Sequence, residues 1–474
     1  MSNRQFSFIR LTVTVVAILL VAAALYGGNF LRSVAPFASG FSAHTFCSNY
    51  FISERSFVDI KANDLSPLQQ RLTRSRVDGN SIVTEFGIWP VNYTSVAVYR
   101  PGLGCGQLAG ETMANLEGPS AIERDIPDAL SPSLTWPELT LDGIDQDRLT
   151  AALDSAFSES EDNIENRQNT RAIVVFHNDK LIAERYANGF EHNTPLNSWS
   201  MTKSATSALI GILVGQGRID LNAPASIESW QGDNDPRRNV TIGQILQMTS
   251  GLDFNEGYES DPVSDVNFML FNSRDLPAFA ATFPLSAEPG ERWSYQTANP
   301  VLLGKIIRDT ITEDEEYYHF AQRELFNKLG MRNSYLQADG SGTFVGGAFL
   351  FGTARDWARF GLLYLNDGIV NGERILPEGW VDYSRSPTDA SLKGRAYGAQ
   401  FWLNTAGDSQ MMPSIPADAY AARGHYGQSV VIIPSRNLVV VRMGQTYKSS
   451  AWDMEAFVAE VLAALPKKQQ QVLH

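Results

Sequence analysis

Ser200-Met201-Thr202-Lys203 is the only Ser-x-x-Lys in the 474-residue chain, and its spacing can build a nucleophile. A serine hydroxyl attacks a carbonyl only when a base takes its proton. An amine three residues on lies one helical turn later on the same face, close enough to be that base or to tune it. The stretch that follows, SATSALIGILVGQG, carries Ala205, Leu209, Ile212 and Leu213 at helical spacing, and Gly215 and Gly217 mark its end. The pattern predicts a helix that begins at Ser200, whose N-terminal dipole favours negative charge at a reacting centre. The bare motif equally describes a serine N-cap followed by an exposed lysine.

The elements that must position these residues follow from periodicity. Ala172–Phe176 and Lys180–Tyr186 flank a His177-Asn178-Asp179 turn, and Ser429–Ile433 and Leu438–Met443 flank Pro434–Asn437. Both patterns are hairpins. Asp145–Phe157 and Trp452–Leu465 read as helices, and the chain between the hairpins is mainly helical with Gly/Pro loops. Early strands, a helical middle and late strands predict an α+β domain in which both ends share one antiparallel sheet around a helical insert. Ahead of it, Ser81–Gly87 and Thr94–Tyr99 read as strands, and Gly118–Pro137 as an irregular connector. The expected organisation is a membrane anchor or signal segment over 1–30, an extension over 31–140, the main domain over 141–466 and a frayed tail over 467–474.

Lys plus Arg is 38 and Asp plus Glu is 52, a net charge of −14, which excludes a nucleic-acid binder with its basic face. With 11% aromatic residues the chain is not disordered as a whole. Leu11–Tyr26 carries no charge, follows Arg4 and Arg10, and precedes the first acidic residue, Glu54. This is the pattern of an export signal or signal-anchor. An uncleaved anchor leaves the remaining chain on the periplasmic side of an inner membrane; cleavage would make the protein secreted. Export makes a Cys47–Cys105 disulfide the expected state of the only two cysteines. The six histidines lack ligand spacing, so no metal is expected.

Six stretches taken together resemble the serine β-lactamase-like and penicillin-binding-like hydrolases. They are SMTKS, GRIDLNAP, TIGQILQMTSGLDF, PGERWSYQTANPVLLGKII, GGAFLFGTARDWARFGLLYLNDG and GHYGQSVVIIPSRNLVVV. The resemblance is strongest with the class C-like branch, which holds β-lactamase-related esterases and 6-aminohexanoate-oligomer hydrolases, and it covers about Ala172–Leu465. It implies a β-lactamase/transpeptidase-like fold and an acyl-enzyme on Ser200, with Lys203 and Tyr295 as catalytic partners and no cofactor. Tyr295 is then the phenol of a Tyr-x-Asn box in which Thr297 replaces Asn. A nearby Lys203 ammonium should lower the phenol's pKa, so that a phenolate takes the serine proton. The third box, usually Lys-Thr-Gly, falls on Ala422-Arg423-Gly424, followed by His425. The backbone N–H groups of Ser200 and His425 would form the oxyanion hole. Arg423 is placed either to bind an anionic group or to point to solvent.

The expected activity is hydrolysis of a small amide or ester. A D-Ala-D-Ala peptidase or β-lactamase is the alternative enzyme, weakened by the missing third-box lysine. A non-catalytic envelope-binding or scaffold protein is the alternative outside enzymes.

Overall fold

The computed structural model describes residues 3–127, 134–159, 163–258, 260–393, 395–405 and 410–466. The expected tail, 467–474, lies outside the described residues.

Helix α1, Asn3–Phe51, is one continuous element. It crosses residue 30, where the anchor was expected to give way to the extension. Its first part exposes Ile18, Leu19, Leu20, Val21 and Leu25, and by length and composition it can cross a membrane. From Ala35 onward the helix is largely buried. It packs on a four-stranded antiparallel meander of β1 (Thr73–Asp78), β2 (Ser81–Ile88), β3 (Val91–Arg100) and β4 (Gly104–Gln107). Residues 31–51 contain Pro36, Gly40 and several serines, which are weak helix formers. Packing overrides that preference. Gly40 touches the Asp265–Asn272 helix so closely that a Cβ would stand 2.0 Å from the Phe271 carbonyl oxygen. Ser39 Oγ hydrogen-bonds Ser95 Oγ at 2.8 Å.

Two further devices tie the extension down. Cys47 is bonded to Cys105, with Cα atoms 6.1 Å apart, as export led us to expect. Helix α2 (Phe57–Asp64), followed by the short α3 (Pro67–Leu72), ends on Asp64, whose carboxylate pairs with Arg55 at 2.6 Å and with Arg171 of the main domain at 2.8 Å. All three side chains are buried.

The main domain has the expected α+β layering. Its six-stranded antiparallel sheet has the order Trp402–Leu403, Tyr420–Gly424, Gln428–Ile433, Leu438–Gly444, β5 (Thr170–His177) and β6 (Lys180–Tyr186). Strands from the two ends meet where Val440 pairs with Val175. Helix α4 (Gln146–Phe157) and the Met454–Ala464 helix cover one face. The other face buries helix α5, Met201–Gly215, and the core of the helical insert. That second core also takes in Phe41, Phe46, Ile60, Ile82 and Leu103, so extension and main domain share one hydrophobic interior.

Candidate active site

Ser200 is the N-cap of α5, in the expected place. The preceding residue, Trp199, has φ 49°, a left-handed conformation that bulky side chains seldom adopt. Local bonds hold it there. Asn197 Oδ1 accepts from the Trp199 N–H at 3.0 Å, and Ser198 Oγ accepts from Trp357 Nε1 at 2.6 Å. Phe41 of α1 stacks on the Trp199 ring with centroids 6.2 Å apart. The turn therefore presents Ser200 partly open at the head of a helix whose next thirteen residues, Met201–Leu213, are all buried.

Lys203 is fully enclosed. Its Nζ donates to Ser200 Oγ at 2.8 Å, Thr297 Oγ1 at 3.0 Å and the Gly347 carbonyl at 2.8 Å. Tyr295 hydrogen-bonds Ser200 as well, and Lys203 Nζ lies 5.2 Å from its ring centroid. Tyr397 and Trp402 hold the phenol ring at centroid distances of 5.8 and 5.0 Å. The structure thus brings Ser200, Lys203, Tyr295 and Thr297 together.

One member was missed. Glu256 accepts from the Thr297 N–H at 2.7 Å and from the Thr297 hydroxyl. A chain of contacts runs from Ser200 through Lys203 and Thr297 to this half-buried carboxylate. The signal was faint, because Glu256 lies just past the TSGLDF stretch and no spacing links it to a threonine 41 positions later.

The electrostatics correct the expectation for Tyr295. Burial raises its pKa, and the Glu256 carboxylate raises it further; the Ser200 hydrogen bond and Arg423 only partly oppose this. The phenol holds its proton. Burial instead pulls Lys203 down to about 8, against the upward pull of Glu256. Burial likewise raises Glu256, with Lys203 opposing. The amine is the group closest to giving up its proton near neutrality.

Gly424 ends its strand against the turn before Ser200, so close that a Cβ would stand 2.3 Å from the Ser198 carbonyl oxygen. His425 follows, and its ring lies 5.2 Å from Trp199, 5.4 Å from Tyr258 and 3.8 Å from Tyr426. Burial lowers its pKa to about 4, so the imidazole is neutral at pH 7. Tyr426 has φ 60°, so left-handed residues stand beside both expected oxyanion donors. Arg423 is exposed, yet its guanidinium is near enough to Tyr295 to lower that phenol's pKa.

A cleft of about 310 Å³ adjoins this centre, walled by Phe37, Phe41, Trp199, Tyr258, His425 and Tyr426. Two of these rings come from α1. A cavity of about 320 Å³ beneath Trp136 and Arg359 contains none of the site residues. Among the described residues no cluster of His, Cys, Asp and Glu is arranged to hold a metal ion.

Known proteins bear on this geometry. The chain is 26% identical over 296 residues to the 6-aminohexanoate-dimer hydrolase of Paenarthrobacter ureafaciens, which spans 58% of this chain and 72% of that protein. A Bacillus anthracis protein assigned as a 6-aminohexanoate-dimer hydrolase superposes with a TM-score of 0.55 at 25% identity, over 74% of this chain and 91% of the other. EstCE1, a hydrolase with promiscuous acyltransferase activity, shares the fold with a TM-score of 0.53 at 15% identity, over 68% and 98% of the two chains. The family profile described as Beta-lactamase matches residues 153–465. That match takes in more than half of the chain, every residue of the Ser200 centre and both ends of the six-stranded sheet: the chain belongs to the beta-lactamase family.

Proposed function

We propose that the protein is a serine hydrolase of small amides or esters that works through an acyl-enzyme on Ser200. The observation that carries this reading is the 2.8 Å contact between Lys203 Nζ and Ser200 Oγ, with Tyr295 on the same oxygen. Ser200 Oγ attacks the carbonyl carbon while its proton passes to the unprotonated Lys203 amine. The oxyanion is held by the backbone N–H groups of Ser200 and His425. Tyr295 gives its proton to the leaving nitrogen or oxygen as that bond breaks, and Lys203 replaces it. Water then attacks the acyl carbon, and the same groups return the protons in reverse order. No step needs a cofactor. This differs from a phenolate base because burial and Glu256 both keep the proton on Tyr295.

The reading includes an address. Helix α1 anchors the chain in a membrane, and the catalytic domain faces the exported, periplasmic side. The outward apolar face of α1 and the Cys47–Cys105 bond support this, since disulfides persist in oxidising compartments. A reporter fused after His474 should report the exported side.

A fluorophosphonate probe should label the protein once, at Ser200, and Ser200→Ala should abolish the label. Labelling that survives the substitution overturns the assignment. Short-chain esters, linear amides and a chromogenic cephalosporin then sort the substrate classes; the absent third-box lysine predicts weak or no cephalosporin turnover.

A further inference from the structure

Trp89 is the most exposed large hydrophobic side chain among the described residues, at 90% of its free surface. It sits with Pro90 at the tip of the β2–β3 hairpin, just beyond the Ile88–Val91 pair. A single exposed ring is ordinary on a protein surface, so what Trp89 does depends on where the turn holds it.

The register of the extension shows where the tip points. Strand β3 runs in the same direction as α1. At the upper end, Cys47 is bonded to Cys105, which pairs with Tyr99. Midway, Ser39 meets Ser95. Lower down, Ile88 and Val91 pack with Leu31, Val34 and Ala35. From Ser95 to Trp89 a strand descends about 20 Å at about 3.4 Å per residue. On a helix rising 1.5 Å per residue this equals about 13 residues and reaches the level of about residue 26. Tyr26 closes the apolar run that opens at Leu11, and the next charge in the chain is Arg32. The hairpin tip therefore lies level with the end of the segment read as membrane-spanning.

We propose that the β2–β3 turn docks on the bilayer at the lipid–water interface, with the Trp89 ring inserted at headgroup depth. Tryptophan is the residue that favours this layer, because its ring is apolar and its N–H is polar. Exposed Arg32 lies within about two helical turns of Tyr26 and suits anionic headgroups. The proposal rests on the anchoring role of α1 and adds a second contact, which turns a single point of attachment into a two-point mount.

The test uses the full chain in vesicles of phosphatidylethanolamine and phosphatidylglycerol with brominated acyl chains. Bromine quenches tryptophans at the bilayer, and all other tryptophans of the chain, from Trp136 onward, lie beyond the extension sheet. Wild type should show a blue-shifted, bromine-quenchable component that Trp89→Phe loses. Flotation of both proteins with the vesicles checks the anchor separately. Flotation with equal quenching in wild type and Trp89→Phe overturns the docking alone. Failure to float overturns the anchor, and the docking with it.

Discussion

Glu256 accepts hydrogen bonds from both the backbone N–H and the hydroxyl of Thr297, and that hydroxyl in turn accepts from Lys203. The half-buried carboxylate is thus one hydroxyl away from the buried amine that touches Ser200. Such a relay lets the pair share a proton without exposing either group.

The pH profile reads this relay. On the proposed mechanism the working base is the unprotonated amine, so kcat/KM should rise with pH as Lys203 loses its proton at about 8. Glu256 raises the amine's pKa, so Glu256→Gln should move that limb to lower pH, by about one unit for a lost neighbouring charge. Measured on an uncharged ester, a limb that stays in place shows that Glu256 only holds Thr297. Lys203→Ala should lower kcat by about 10²–10⁴.

Gly424→Ala tests the close approach of the third box. A Cβ 2.3 Å from the Ser198 carbonyl oxygen forces the strand end away from the Ser200 turn. Overpacking of this kind costs about 1–3 kcal/mol. Because the displaced backbone carries the His425 N–H, kcat should fall much further than thermal stability. Equal kcat in the two proteins would exclude that N–H from the oxyanion hole.

Asp64→Asn should uncouple the extension. It leaves Arg55 and Arg171 buried without their shared carboxylate, a loss of about 3–5 kcal/mol. Burial pushes the Asp64 carboxyl up, but Arg171 and Arg55 outweigh burial and hold it below the usual range. Its contribution is therefore complete above the unfolded-state value of about 3.9 and fades as pH falls through the lower folded value. Chemical denaturation at pH 7 should show the full gap between wild type and variant, which closes only in strong acid.

Arg423→Ala should separate substrates by charge. Arg423 is an exposed residue whose guanidinium charge is felt by Tyr295. Substrates with an anionic group beside the scissile bond should lose about tenfold in kcat/KM, the effect of about 1.4 kcal/mol. Neutral esters should be unaffected. An equal loss on both classes would assign Arg423 to holding Tyr295 instead.

Much of the main domain was legible because its signals are local. The strands of the two hairpins are short apolar runs bounded by turn residues, and the helix after Ser200 repeats its apolar positions. Glu256 was not legible, because its role depends on a contact with Thr297 that only folding creates. The sign of the Tyr295 shift was also hidden, since the charge of Lys203 can be read from sequence but the depth of burial cannot. Helix α1 was seen only as far as its apolar run. Beyond Tyr26, Pro36, Gly40 and the serines argue against a helix, and the close fit against Ser95 and Phe271 decides the matter.

The unbroken course of α1 works as a ruler. Phe37 and Phe41, which wall the cleft beside Ser200, lie about 16 to 23 Å above Tyr26 at 1.5 Å per residue. On the proposed anchoring, with the lower helix seated in a bilayer, every turnover would take place in a thin layer of solvent at that height. Catalytic capacity then scales with membrane area rather than with compartment volume. A substrate still attached to a lipid must reach across that gap to be cleaved, and one flush with the headgroups stays out of range.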